Sequence, residues 1–152
     1  MANAAPKSAS SVTHRANSTS RYYVRIDGVA QAVFSEVSGL QLETELFEYV
    51  EGGNSGFVYR LPGQTKAGNV TLKRGIVKGN DLFKWYQHII QGKMDLRTVE
   101  IQAIASEGSS IATWRFERAF PCKWSGPQMT AGTDSVAVET FELAHMGVIT
   151  LG

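Results

Sequence analysis

Arg97-Thr98-Val99-Glu100-Ile101-Gln102-Ala103-Ile104-Ala105, a turn at Glu107-Gly108-Ser109-Ser110, then Ile111-Ala112-Thr113-Trp114-Arg115-Phe116 is the stretch that decides the fold. Apolar and polar residues alternate on both sides of the turn. Val99, Ile101 and Ala103 therefore share one face and oppose Ala112, Trp114 and Phe116. A helix needs its apolar residues three and four apart, whereas a period of two belongs to a strand with one face on a core. The segment is a β-hairpin, and its second strand runs on to Cys122.

The same period extends outward in both directions. Tyr22, Val24 and Ile26 alternate with Tyr23, Arg25 and Asp27 before an Asp27-Gly28 turn, and a return strand follows from Val29 through Val33, Ser35 and Val37 to Ser38-Gly39. From Leu40 to Val50, Leu40, Leu42, Thr44 and Leu46 lie on one face, and Gln41, Glu43, Glu45 and Phe47 on the other, which predicts a half-buried strand. Glu51-Gly52-Gly53-Asn54-Ser55-Gly56 interrupts the pattern, Phe57 to Leu61 resumes it, and Pro62-Gly63 ends it. This reads as a long hairpin with a flexible tip. Asn69 to Gly75 is a further strand with Val70 and Leu72 inward and Thr71 and Lys73 outward, and a last one spans Val136 to about Ile149.

Asp81 to Gln91 is the one helix. Asn80 suits its N-cap, Asp81 its first turn and Gly92 its C′ position, while Leu82, Phe83, Tyr86, Ile89 and Ile90 form an apolar stripe. The fold class is mainly β: a β-barrel or sandwich of about six or seven long antiparallel strands with one flanking α-helix. Strands this long leave edges that must be charged, bent or paired, and identical copies are one way to pair them.

Composition sets the boundaries of function. The 152 residues fit one domain, residues 21–152, behind an arm of residues 1–20 in which Met1 and Val12 are the sizeable apolar side chains. Fifteen basic against fourteen acidic residues leave a formal +1, which disfavours sequence-specific or general nucleic-acid binding. No apolar run approaches the roughly 20 residues of a membrane span or the h-region of a secretory signal, so no membrane insertion by the monomer and folding in the cytoplasm are expected. Cys122 is the single cysteine and reads as a small buried hydrophobe.

The residue patterns of catalysis are missing. His14, His88 and His145 have no metal-ligand spacing between them; the glycines of 51–56 lack the following Lys-Ser or Lys-Thr of a phosphate cradle; and no Gly-x-Ser-x-Gly elbow occurs. Glu43 with Glu45 and Glu48 with Glu51 resemble carboxylate pairs, but acids on the outer row of a strand face solvent or a partner. Trp114 and Trp124 would serve a small carbohydrate-binding β protein, the reading from a different class. The sequence thus points to no enzyme, and to no catalytic, cofactor or metal residue.

Charge is locally divided. Between Glu36 and Glu51 there are five glutamates and no base; between Lys66 and Lys78 stand Lys66, Lys73, Arg74 and Lys78 with no acid. Two readings are open and compatible: the strands pair their charges within one subunit, or the patches meet head to tail between copies.

Several segments in order also resemble the tail-tube proteins of contractile phages and extracellular contractile injection systems. They are Phe34-Ser35-Glu36-Val37-Ser38-Gly39-Leu40, Glu48-Tyr49-Val50-Glu51-Gly52-Gly53, Leu61-Pro62-Gly63, Asn69 to Gly75, the helix with Leu82, Trp85 and Tyr86, Trp114 through Trp124-Ser125-Gly126-Pro127, and Glu142-Leu143-Ala144-His145. The arm before Arg21 is outside that pattern. The resemblance implies a structural subunit of an inner tube: hexameric rings whose strands join into one wall, stacked inside a sheath on a baseplate and spike, holding or conducting cargo and propelled by sheath contraction. Its particle would be a phage tail or a tail-like device released from the cell. A first-ring protein at the baseplate or a type VI-like ring protein is the alternative. On this reading Glu48, Glu51, Gly52, Gly53, Phe57, Tyr59, Lys66, Lys73, Arg74 and Lys78 contact neighbouring subunits.

Overall fold

A computed structural model describes residues 19–27, 29–53, 56–128, 130–132, 136–147 and 149–152. The central hairpin has the expected register. β7 (Arg97–Ala105) and β8 (Ser110–Ser125) place Val99 opposite Phe116, Ile101 opposite Trp114 and Ala103 opposite Ala112. β1 (Thr19–Ile26) pairs with β7 on one side and with β2 (Val29–Phe34) on the other. On the far flank β9 (Val138–Ala144) joins β8 to β6 (Val70–Gly75), and β6 pairs with β3 (Glu36–Ser38). The sheet runs β2-β1-β7-β8-β9-β6-β3, with β10 (Ile149–Leu151) added to β8.

β8 makes this possible by serving both halves. Residues 110–119 pair with β7 and residues 120–125 with β9. The change falls at a bulge where Arg118 takes a φ of 55°. An extra residue bends a strand and raises its twist, so the sheet rolls over its own core.

Among the described residues ten strands appear where six or seven were expected. The return strand divides at Ser35: β2 stays with β1, whereas β3 turns to β6, and the Ser35 amide donates to the Lys73 carbonyl at 2.9 Å. The ladder is not closed into a barrel. β2 and β3 are end strands joined through the chain at Ser35 and not by pairing, so the result is a rolled, sandwich-like sheet.

Between the halves lie Val24, Ile26, Phe34, Val70, Leu72, Val99, Ile101, Phe116, Phe141 and Leu143, all buried. α1 (Asp81–Ile90) covers the core with Leu82 and Trp85. This corrects the predicted stripe, in which Trp85 had no place and Ile90, which is exposed, did. Asn80 occupies the N-cap position without a side-chain cap bond. At the other end Lys93 N donates to His88 O and Gly92 N to Ile89 O, the paired bonds of a Schellman ending.

One element stands apart. β4 (Leu42–Tyr49) and β5 (Tyr59–Ala67) form a separate two-stranded ribbon. β4 is not half-buried as predicted: every residue of it is exposed. β5 also runs through Pro62-Gly63, which was expected to end it. A proline is tolerated on a free strand edge or at a bulge, and here the register shifts between Thr44 and Leu46, with Leu46 opposite Pro62. The ring of Phe47 lies over Gly63, where a Cβ would come within 2.5 Å of it.

The N-terminal arm lies outside the described residues up to residue 18, and the sheet already begins at Thr19. Among the described residues, no helix is long and apolar enough to cross a membrane.

Candidate assembly surface

The ribbon starts from a fixed root. Gly39 holds a φ of 82° with its Cα against the Asn69 carbonyl, where a Cβ would lie 2.0 Å from the oxygen, so no other residue fits there. The Gly68 amide donates to the Gln41 carbonyl at 3.0 Å and ties the two legs together.

Beyond the root the two faces differ. On one, Glu43, Glu45 and Lys66 lie near the base, with Lys66 bonded to Glu45, and Phe47, Tyr49, Tyr59 and Leu61 lie toward the tip. Phe57 meets Tyr59 edge-on at 4.9 Å. On the other face Leu42, Thr44, Leu46 and Pro62 lie near the base, the Thr44 and Thr65 hydroxyls bond at 2.9 Å, and Glu48 faces Arg60 at 3.6 Å. Exposure of Phe47, Tyr49, Phe57, Tyr59 and Leu61 runs from 43% to 60%. A contiguous apolar patch of this kind marks an interaction site.

Of the ten residues expected at subunit contacts, Glu48, Glu51, Gly52, Gly53, Phe57, Tyr59 and Lys66 are brought together on the ribbon. Lys73, Arg74 and Lys78 are on or just after β6, away from it. Lys73 bonds Glu36 at 3.0 Å within the protomer. Arg74 is buried, with its Nε 2.6 Å from Glu139 and its guanidinium over the Phe34 ring. It does not form part of an outward patch. Lys78 is exposed and makes no ion pair among the described residues. Much of the divided charge is therefore satisfied inside one subunit. Sequence reading did not single out Leu42, Leu46, Phe47, Tyr49, Val50 and Leu61, whose side chains are exposed on the same ribbon, although Phe47 and Tyr49 continue the row that Glu43 and Glu45 occupy.

The titratable groups elsewhere are arranged for anchoring. Arg97 grips Asp95 through Nε at 3.0 Å and Nη2 at 2.7 Å, His88 Nδ1 lies 2.9 Å from the same carboxylate, and Trp85 Nε1 donates to the Asp95 carbonyl at 2.8 Å. Arg97 and, less strongly, His88 hold the Asp95 pKa at about 2 against the opposing effect of burial. This cluster pins α1 to the start of β7. His145 stacks on Phe116 at 4.9 Å, accepts at Nδ1 from the Gly147 amide and lies with a buried Nε2 beside Gly68. Burial lowers its pKa.

Cys122 is at the surface, not in the core as expected; its thiol donates to the Glu142 carbonyl at 3.3 Å. Partial desolvation and the charge of Glu142 raise its pKa, which keeps it protonated and poorly nucleophilic. Trp114 packs against the core, and Trp124 meets Phe83 edge-on at 5.1 Å with Nε1 toward Glu139. Among the described residues, no three His, Cys, Asp or Glu side chains gather as metal ligands.

Comparison with known proteins bears on this surface. A chain in the tube-terminating cap of the anti-feeding prophage is 27% identical, with a TM-score of 0.80, covering 100% of this chain and 99% of that one. One in the PVC extracellular contractile injection system sheath-tube complex, extended state, is 24% identical with a TM-score of 0.79 over 96% and 99% of the two chains. One in the six-fold symmetrised anti-feeding prophage baseplate is 21% identical with a TM-score of 0.73 over 86% and 90%. No curated protein matches the sequence. The family profile described as T4-like virus tail tube protein gp19 matches residues 18–149, and the chain belongs to that family of structural tail-tube proteins.

Proposed function

We propose that this chain is the repeating subunit of the inner tube of a contractile injection particle, in which six copies close a ring and rings stack into a tube. The observation that carries this reading is the ribbon: an apolar, two-faced element that no other described residues cover. A lone hairpin is marginal in water, so this one gains its burial from other copies. The edge of β2, which no described strand pairs, and the short β10 at the other side of the same half-sheet supply further sites for strand-to-strand joining.

Similarity to chains of a six-fold baseplate and of a sheath-tube complex supports the ring number and the enclosing sheath. Baseplate and spike proteins meet the tube at its start, assembly takes place in the cytoplasm, and the tube performs no chemistry. The outward row of β1, β7 and β8, in which Arg25 is opposite Glu100 and Glu100 opposite Arg115, lines the bore and faces protein cargo. The baseplate likeness favours one second reading, a first-ring protein present in six copies per particle. Electron microscopy of the purified protein tests the main proposal: rings or tubes are expected, and a persistent monomer at high concentration overturns it. Copy number per particle separates the repeating subunit from a first-ring protein.

A further inference from the structure

The two ends of the subunit differ, and the difference fits one end to the other. The ribbon departs where β6 begins, at Gly68 and Asn69. The opposite end of β6 is six residues away, about 20 Å along the strand. There a groove of about 370 Å³ opens between the free edge of β2 and the segment that leads into α1. Val29, Ala32 and Val33 form one wall and Val77 the other, with Lys78 and Asp81 on the rim. Val33 and Val77 are about half exposed, and the outer edge of β2 has no strand partner among the described residues.

Charge identifies what enters. Asp81 already faces Lys84 at 3.8 Å, so the uncompensated charge on the rim is that of Lys78. At the ribbon tip Glu48 faces Arg60, whereas Glu51 has no ion-pair partner among the described residues. Val50 and Phe57 beside it are 67% and 55% exposed. We infer that the ribbon tip of one copy docks in the groove between β2 and residues 76–80 of a copy in the next layer, with Glu51 on Lys78 and Val50 or Phe57 against Val33 and Val77. A knob and a socket at opposite ends form a heterologous contact, which propagates as an open stack. The unpaired β2 edge then gains backbone partners from the entering tip. The apolar pocket formed by Ile89, Met94, Leu96, Phe120 and Met146 is a poorer socket, since Phe120 pairs with Ala144 and Leu143 with Val70, which puts it at the ribbon's own end.

The inference rests on the tube reading, and its test keeps the two apart. Lys78→Glu and Glu51→Lys are made singly and together, with thermal unfolding of the protomer as a folding control; neither residue has an ion-pair partner among the described residues, so melting is expected to be unchanged. Each single change is expected to lower the sedimentable tube fraction at least fivefold at moderate salt, and the double change to restore it. Independently, Gly52→Cys and Gly79→Cys, both with open space around the Cα, are made on separate copies in a Cys122→Ser background, mixed and treated with a short bismaleimide. A dimer linking the two variants is expected. Wild-type tubes that form while the single swaps assemble normally, or while the double swap fails to rescue and no mixed dimer appears, overturn the docking site and leave the tube reading intact. A wild-type protein that forms neither rings nor tubes overturns both.

Discussion

Replacing Phe57 with serine separates an adhesive ribbon from a merely decorative one. A Phe side chain buries roughly 150–250 Å² when fully covered, and with 55% of it open in the protomer about 100 Å² remains for a neighbour. At about 25 cal/mol per Å² that area is worth about 2.5 kcal/mol per contact, or about 70-fold in association. Within the protomer the loss is smaller. Phe57 makes an edge-on contact with Tyr59 and lies outside β5, before its start at Tyr59, so protomer stability should fall by no more than about 1 kcal/mol. In a hexameric ring the contact recurs at every subunit, and the losses act together. The assay is sedimentation and negative-stain imaging across a concentration series, with thermal unfolding alongside. Phe57→Ser is expected to need at least tenfold more protein for tubes at nearly unchanged melting temperature. Normal assembly would refute the assignment of the aromatic face to a contact, and a large drop in melting temperature would place Phe57 in the fold instead.

Three further outcomes follow from groups inside the subunit. Arg74→Ala strands the Glu139 carboxylate, so it should cost about 3 kcal/mol and lower the protomer melting temperature by about 6–12 °C, whereas a leucine-methionine replacement of the pair should be near neutral. Asp95→Asn should cost at most about 2 kcal/mol at neutral pH, less after solvent screening, by urea denaturation. Because the folded Asp95 pKa is depressed to about 2 from 3.8, its stabilisation is present above the unfolded value and the gap to the variant should close as pH falls toward about 2. His145 is held neutral by burial, so its contribution is complete above its ordinary pKa of 6.5 and declines below it. The urea midpoint should fall as the pH drops below 6.5, and His145→Gln should flatten that slope.

What the sequence made legible was the part of the fold whose cover lies in the same chain. Val99, Ile101 and Ala103 needed an opposed apolar row, and Ala112, Trp114 and Phe116 supplied it in the expected register. The ribbon misled because Leu40, Leu42, Thr44 and Leu46 alternate like a half-buried strand, and alternation does not say which molecule provides the other half. Pro62 reads as a breaker when the strand is imagined inside a sheet, but not when its edge is free. Arg74 was recoverable: Val70, Leu72 and Arg74 share one row, as do Glu139, Phe141 and Leu143 on the paired strand, and both rows are inward. Residue type alone, a basic side chain, points instead to the surface. The groove beside Lys78 had no local signal, since it is made by β2, the 76–80 segment and the start of α1 meeting in space.

The divided charge has a use that stability alone does not explain. Exposed ion pairs such as Glu48 with Arg60 contribute about 0–1 kcal/mol each. Register is the more demanding problem for a ribbon whose faces are both open, because no core penalises a slip. Here the marks of register are polar: Glu43 opposite Lys66, Glu48 opposite Arg60, and Thr44 bonded to Thr65, with the irregularity at Pro62 between them. A one-residue slip would separate these pairs and move Phe47 and Tyr49 to the wrong side of Leu61 and Tyr59. A ribbon already in register before it meets another copy has less ordering to undergo at contact, and that ordering is a principal cost of association. The acids and bases that cancel within the subunit thus fix the shape of the apolar face, and Glu51 and Lys78, which do not cancel, are left for the neighbour.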